Sequence, residues 1–292
     1  MAIPSYLLKT TIQTSRYQKS SPGLGQTTST AEITEKGRIM DPSIHATSQY
    51  SATSSNLSRR NALHGWNTHS QGWYSWVRDR LPKTGRLLEI GGGMGELWRQ
   101  PEHDLAGLDL VLTDFSEAMC DQLREIPGAA VVQCDAHNLP FDDASFDTVV
   151  ANHMIYHLDD PDKAFGEFAR VLRPGGRVFI ALNGEDHLPE LFWVGAAIGR
   201  TSKIKSQARV KLDTIPEFLS KHFVDIKPER APQSFAVPSA EPVLDYLSTV
   251  GDKGPLTAED EKQVRSMVEP IISEKGTFHI GGSIVLFTAT VK

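Results

Sequence analysis

The sequence predicts an α/β fold whose mostly parallel sheet is covered by helices on both faces. Three observations predict it. Short apolar runs alternate with helical patterns between residues 86 and 182. A glycine-rich turn follows the first of those runs, and Asp114, Asp135 and Asn152 close the next three. Apolar strands alternating with helices need cover on both sides, which is how parallel sheets are built.

The elements follow in chain order. Residues 1–56 are rich in Ser and Thr and poor in apolar side chains, so they bury too little surface to offset their ordering entropy. They read either as a disordered leader or as an arm or lid, with Tyr17, Ile44 and Tyr50 as anchors over a substrate and a homodimer contact as an alternative use. Residues 57–84 read as a helical region, with Leu63, Trp66, Trp73, Trp76, Val77 and Leu81 on an apolar stripe that Pro82 ends. From 85 onwards the chain reads as one domain. Strands are expected at 86–90, 108–113, 130–134, 146–151 and 177–182. Helices are expected at 96–102, after Ser116, and at 161–172. Beyond 182, helical patterns at 188–198, 215–222, 241–250 and 259–273 interleave with an extended run at 223–237 and a β-rich run at 277–291. A closing strand pair with a helical substrate cap in about 186–275 is the expected arrangement.

Composition narrows the function. Thirty Lys and Arg stand against 36 Asp and Glu, a net charge of −6, with no dense basic patch. A phosphate-gripping surface calls for the opposite balance, so nucleic acid is not the expected partner. Two cysteines, Cys120 and Cys134, make neither a disulfide framework nor a zinc site, and no metal is expected. No run is long and apolar enough for a bilayer, and the start does not read as a signal peptide, so a cytoplasmic protein is expected.

The strongest local signal is Glu89-Ile90-Gly91-Gly92-Gly93-Met94-Gly95. Glycines there let the backbone turn sharply and approach a ligand without an intervening Cβ. The dinucleotide fingerprint G-x-G-x-x-G would need a third glycine at position 96, which is Glu96, and a carboxylate there opposes a pyrophosphate. The spacing G-x-G-x-G after an acid instead suits a ligand bearing an ammonium, a sulfonium and a carboxylate. Asp114 can accept both ribose hydroxyls, Asp135 an adenine amino group and the Ala136 backbone a ring nitrogen, while Phe115 and Met119 can pack on adenine faces.

These residues, with Thr113-Asp114-Phe115-Ser116, Leu139-Pro140-Phe141, Ser145-Phe146-Asp147 and Arg173-Pro174-Gly175-Gly176, resemble the class I S-adenosylmethionine-dependent methyltransferases. The resemblance is to the group that holds the ubiquinone/menaquinone-pathway and natural-product small-molecule enzymes, and it spans about residues 60–185. It implies a Rossmann-like, seven-stranded sheet in the order 3-2-1-4-5-7-6 with strand 7 antiparallel, the run 277–291 serving as strand 7. It implies S-adenosyl-L-methionine as cofactor, with Glu89 and Gly91, Gly93 and Gly95 on the methionine part, Asp114 on the ribose, Phe115 on an adenine face, Asp135 and Ala136 on the adenine edge, and Asn152 or His153 beside the sulfonium. The stretch Asn152-His153-Met154-Ile155 departs from the Pro-Pro motif of enzymes acting on nucleic acid bases.

The expected activity is methyl transfer to a small organic acceptor in secondary metabolism, on oxygen or nitrogen. The alternatives are a cofactor-binding scaffold or cyclase on the same fold, and a nicotinamide oxidoreductase, which Glu96 disfavours. His153 and His157 are the candidate catalytic bases, because i, i+4 spacing puts both on one helical face and an imidazole titrates near neutrality. Trp66, His69, Phe192 and Trp193 are the further candidates for an aromatic substrate pocket.

Overall fold

The computed structural model describes residues 55–100, 104–201, 208–251 and 254–292. Tyr17 and the expected arm of residues 1–54 lie outside them. The chain opens with helix α1 (Ser55–Ala62), a 3-10 turn (Leu63–Trp66) and α2 (Trp73–Arg78). The expected helical region thus breaks at Gly72, which is extended and precedes α2. Next come β1 (Gly85–Ile90), β2 (Leu108–Asp114), α3 (Glu117–Leu123), β3 (Ala130–Gln133), β4 (Phe146–Asn152), α4 (Pro161–Val171) and β5 (Leu172–Asn183). The remainder is α5 (Pro189–Ala197), α6 (Ile215–His222), β6 (Phe223–Val237), α7 (Glu241–Ser248), α8 (Ala258–Lys275) and β7 (Phe278–Val291).

The seven strands form one sheet in the order β3-β2-β1-β4-β5-β7-β6. The first five pair in parallel, while β7 runs antiparallel to both β5 and β6. This is the expected order. Strand alternation builds two core layers from one sheet. Leu88, Ile90, Val149, Val178, Ile180, Val285 and Phe287 face α4 and α6, meeting Phe165, Phe168, Ile215 and Leu219. Leu87, Leu110, Leu112, Val150, Phe179 and Leu286 face the other way, onto Trp73, Trp76 and Val77 of α2 and Leu123 of α3.

The expected cap resolves into two parts. α6 joins the main core, with Phe218 6.0 Å from Phe165, and β6 is the edge strand of the sheet. A third cluster holds α5, α7 and α8 together through Leu191, Val194, Val243, Leu247, Val264 and Val268, over the ends of β6 and β7. Leu63 of the N-terminal segment is buried in that same cluster. The Arg60 guanidinium donates to Thr249 Oγ1 (3.0 Å) and to the Thr249 carbonyl (2.6 Å), tying α1 to the end of α7.

One expected element does not form over its described residues, 96–100. Residues 96–98 form turns rather than the start of a helix. The Trp98 indole N–H turns inward to the Glu89 carboxylate, and Arg99 donates to the carbonyls of Met94 (3.0 Å) and Gln122 (2.7 Å). Pro101 also disfavours helical geometry at the residue before it. No helix among the described residues is long and apolar enough to cross a membrane.

Candidate active site

The carboxyl ends of β1, β2, β4 and β5 open on one cavity of about 420 Å³. Its floor is the glycine turn. Gly91, Gly93 and Gly95 all have positive φ, at +68°, +58° and +75°. A Cβ on Gly91 would stand 2.7 Å from Met154 Cβ, so the bare backbone is a requirement of the packing as well as of the turn. Asp114 braces the turn from β2: Gly93 N–H donates to its Oδ2 (3.0 Å) and Ser116 N–H to its Oδ1 (2.9 Å). Burial pushes the Asp114 carboxyl above its ordinary range, against the pull of those backbone bonds. Glu89 is 1 % exposed. Burial raises its pKa to about 7, while the hydrogen bond from Trp98 and the charge of Arg78 act in the opposite direction. Arg78, itself buried, lies 4.6 Å over the Trp98 ring.

Most of the expected cofactor residues meet here. Glu89, Gly91, Gly93, Asp114, Phe115, Met119, Ala136 and Asn152 line the cavity. Gly95 stands just behind it: a Cβ there would be 2.4 Å from Ile126 Cδ1. Asp135 departs from expectation. One of its carboxylate oxygens, Oδ1, is held by His137 through Nδ1 (2.6 Å) and the backbone N–H (2.9 Å), and it lines a second hollow beside Phe115 rather than the main cavity. Ala136 and Cys134, on either side, do reach the cavity.

The histidine pair also departs from expectation. His153 follows β4 with φ +57°, its N–H donating to the Ala181 carbonyl (3.1 Å), and residues 155–157 form a single 3-10 turn. The two imidazoles therefore do not share a helical face, although both line the cavity. Burial, and secondarily His64, lower the His153 pKa to about 3, so it is a neutral ring at physiological pH and not the near-neutral base expected.

The rest of the cavity differs from the expected substrate-pocket set. Phe192 lines it, but Trp193 is 53 % exposed and Trp66 40 % exposed, both outside the lining. His69 also lies outside, its Nε2 3.5 Å from Ser234 Oγ at the surface. In their place stand His64, Trp73, Tyr74, Leu188, Phe235 and Tyr246. Trp73 packs 5.2 Å from His153, and His64 5.7 Å from Phe235. Burial lowers the His64 pKa to about 4. Asn183, at the end of β5, lines the cavity too. The rule that ligands gather at strand ends, extended to the fifth strand, would have found it; nothing local in the sequence marks Phe235 or Tyr246.

Four buried polar atoms of the lining residues have no hydrogen-bond partner among the described residues: His64 Nδ1, Trp73 Nε1, Asn152 Oδ1 and Asn183 Oδ1. A bare glycine floor and the Asp114 carboxylate fit S-adenosylmethionine: backbone for its methionine part and a carboxylate for its ribose. Among the described residues, no group of three or more His, Cys, Asp or Glu comes together as a metal site.

Residues 88–180 match a protein family described as "Methyltransferase domain". That match covers less than half of the chain; the sheet order is that of the class I, Rossmann-like methyltransferase fold. The chain is 40% identical over 103 residues to the ubiquinone/menaquinone biosynthesis C-methyltransferase of Idiomarina loihiensis, covering 32% of this chain and 41% of that one. It spans under half the length of the curated relatives it matches. In fold it is similar to phosphoethanolamine N-methyltransferase 2 of Haemonchus contortus, solved with S-adenosyl-L-methionine (TM-score 0.53, 24% identity, 87% of this chain and 60% of that one). It is also similar to a methyltransferase of Thermotoga maritima described as a possible histamine N-methyltransferase (TM-score 0.52, 19% identity, 85% of this chain and 99% of that one).

Proposed function

We propose that the chain is an S-adenosylmethionine-dependent methyltransferase acting on a small organic acceptor, on oxygen or nitrogen, in secondary metabolism. The observation that carries this reading is the continuity of the cavity. The glycine cradle and Asp114 form one end, and an aromatic chamber under α5 and α7 forms the other. The cofactor supplies a methyl group already activated on a sulfonium. What the chain has to supply is alignment and exclusion of water, which in general account for on the order of 7–11 kcal/mol of a barrier. Gly91 and Gly93 present backbone to the methionine part, Asp114 holds the ribose and Asn152 stands beside the reacting sulfur. His64, Trp73 and Phe235 confine the acceptor. A net charge of −6 and the non-Pro sequence after Asn152 support a small molecule over nucleic acid.

Isothermal titration of the purified chain with S-adenosylhomocysteine, followed by mass spectrometry of a metabolite panel incubated with S-adenosylmethionine, tests the proposal. Binding together with a methylated product supports it. Binding with no methylated product across the panel would favour a scaffold or a cyclase, and an absence of binding ends the reading.

A further inference from the structure

We infer that Trp98 and Arg78 are positioning residues for the cofactor: Trp98 fixes the Glu89 carboxylate in place for the ammonium of S-adenosylmethionine, and Arg78 fixes Trp98. This rests on the methyltransferase reading above and adds to it two residues that act on the cofactor through a third.

Geometry carries the first link. Glu89 lies on β1, between β2 and β4, and lines the cavity just before the glycine turn. Its Oε2 accepts from the Trp98 indole N–H. The Trp98 backbone is itself pinned to the turn. Its N–H donates to the Gly95 carbonyl (2.9 Å), and Gly95 N–H donates to the Gly92 carbonyl (3.0 Å). The indole is buried in one cluster with Trp73, Val77 and Leu123. A donor packed and tied in this way holds one geometry, and so does the carboxylate bonded to it. With Oε2 engaged, Oε1 is the oxygen that meets the ammonium.

The second link comes from α2, outside the segment that matches the methyltransferase family. Arg78 is buried, with its guanidinium 4.6 Å over the Trp98 ring. Its Nε and Nη1 have no hydrogen-bond partner among the described residues. A buried guanidinium with open donors is costly, and an apolar side chain would serve packing alone at least as well. What the cation gains is the ring face. There it draws electron density from the indole and strengthens the N–H that reaches Glu89.

Charge makes the third link. The titratable groups at this corner are Arg78 and Tyr74 of α2, Glu96 after the glycine turn and Asp114 at the end of β2. Burial and Asp114 work against a charged Glu89, whereas Trp98 and Arg78 favour it. Without those two the carboxyl would stay protonated to higher pH, and a neutral carboxyl holds an ammonium weakly.

The test compares S-adenosylhomocysteine with 5′-methylthioadenosine, which keeps the nucleoside and the sulfur and lacks the amino acid. Calorimetry on the full chain gives the ratio of the two affinities. If the parent does not bind S-adenosylhomocysteine, the methyltransferase reading fails and not this inference alone. Trp98→Phe should weaken S-adenosylhomocysteine about tenfold at neutral pH and change 5′-methylthioadenosine less than about twofold. Arg78→Met should lower the ratio in the same direction, and Arg78→Lys, which keeps a cation for the ring, should restore most of it. The parent's ratio should rise from about pH 6 to pH 8, and in Trp98→Phe that rise should move to higher pH. Asp114 serves the ribose common to both ligands and so cancels from the ratio. The double variant Glu89→Gln with Trp98→Phe should lose no more than Glu89→Gln alone. Equal loss of both ligands, an unchanged ratio, or additive losses in the double variant overturns the inference. Should Trp98→Phe fail to fold, the Arg78 pair decides alone by the same ratio.

Discussion

At the residue scale the site is governed by groups that burial has moved from their ordinary protonation. Glu89 is the clearest case. Its pKa is raised from 4.5 to about 7, so between those values the unfolded chain releases a proton that the folded chain keeps. Stability therefore falls as pH rises through about 4.5 to 7, by on the order of 3 kcal/mol, and is level above that window. A cofactor ammonium prefers the ionised carboxylate, so cofactor affinity should rise as pH passes from about 6 to 8, and Glu89→Gln should flatten that rise in titration calorimetry. His153 has the opposite history: its pKa is lowered from 6.5 to about 3. Below about pH 6.5 the unfolded chain gains a proton that the folded chain refuses, so stability should drop as acid is added. His153→Asn keeps a residue type that tolerates the left-handed backbone and should lessen that loss in a chemical-denaturation series at pH 5. Asp114→Ala removes the acceptor for Gly93 N–H and Ser116 N–H as well as the ribose contact. At about 1.5–3 kcal/mol for a charge-assisted bond, cofactor affinity should fall by a factor of roughly ten to more than a hundred.

At the element scale the glycine turn and the segment after it are the structural peculiarity. The turn leads into further turns in which Trp98 covers Glu89, where a helix would ordinarily carry the cofactor end. Valine at position 93 would have to adopt φ +58°, a region that β-branched residues avoid. Gly93→Val should abolish cofactor binding while the far-ultraviolet circular dichroism stays close to that of the parent. Element identity was largely legible in the sequence, because alternation and helical periodicity are local: the structure places α6 at Ile215–His222 and β6 at Phe223–Val237, as the patterns of those segments indicate. The helix expected at 96–102 failed because a tertiary bond, Trp98 to Glu89, outweighed propensity.

At the scale of the whole molecule the acceptor chamber is assembled from segments that share no sequence neighbourhood. His64 and Trp73 come from before β1, Asn183 and Phe192 from around α5, and Phe235 and Tyr246 from β6 and α7. All of these lie outside residues 88–180, the segment that matches the methyltransferase family. On the proposed reading, the matched segment holds the cofactor and the rest of the chain shapes the acceptor. The late elements also complete the core: Val285 and Phe287 of β7 and Ile215 and Leu219 of α6 pack in one cluster with Val178, Ile180 and Phe165. A fragment of residues 85–183 would leave that face open and should show no cooperative thermal unfolding by circular dichroism, whereas the full chain should.

The sequence by itself determined the sheet, its cover on both faces and the cofactor cradle, since strand alternation, positive-φ glycines and strand-end acids are encoded within a few residues of one another. Only the tertiary structure decided which aromatic and amide residues line the cavity, that Asp135 pairs with His137, and that the two histidines do not share a helical face while burial lowers the His153 pKa. Those outcomes depend on burial and on contacts between residues far apart in the chain, and burial is a property of the packed molecule rather than of any local pattern.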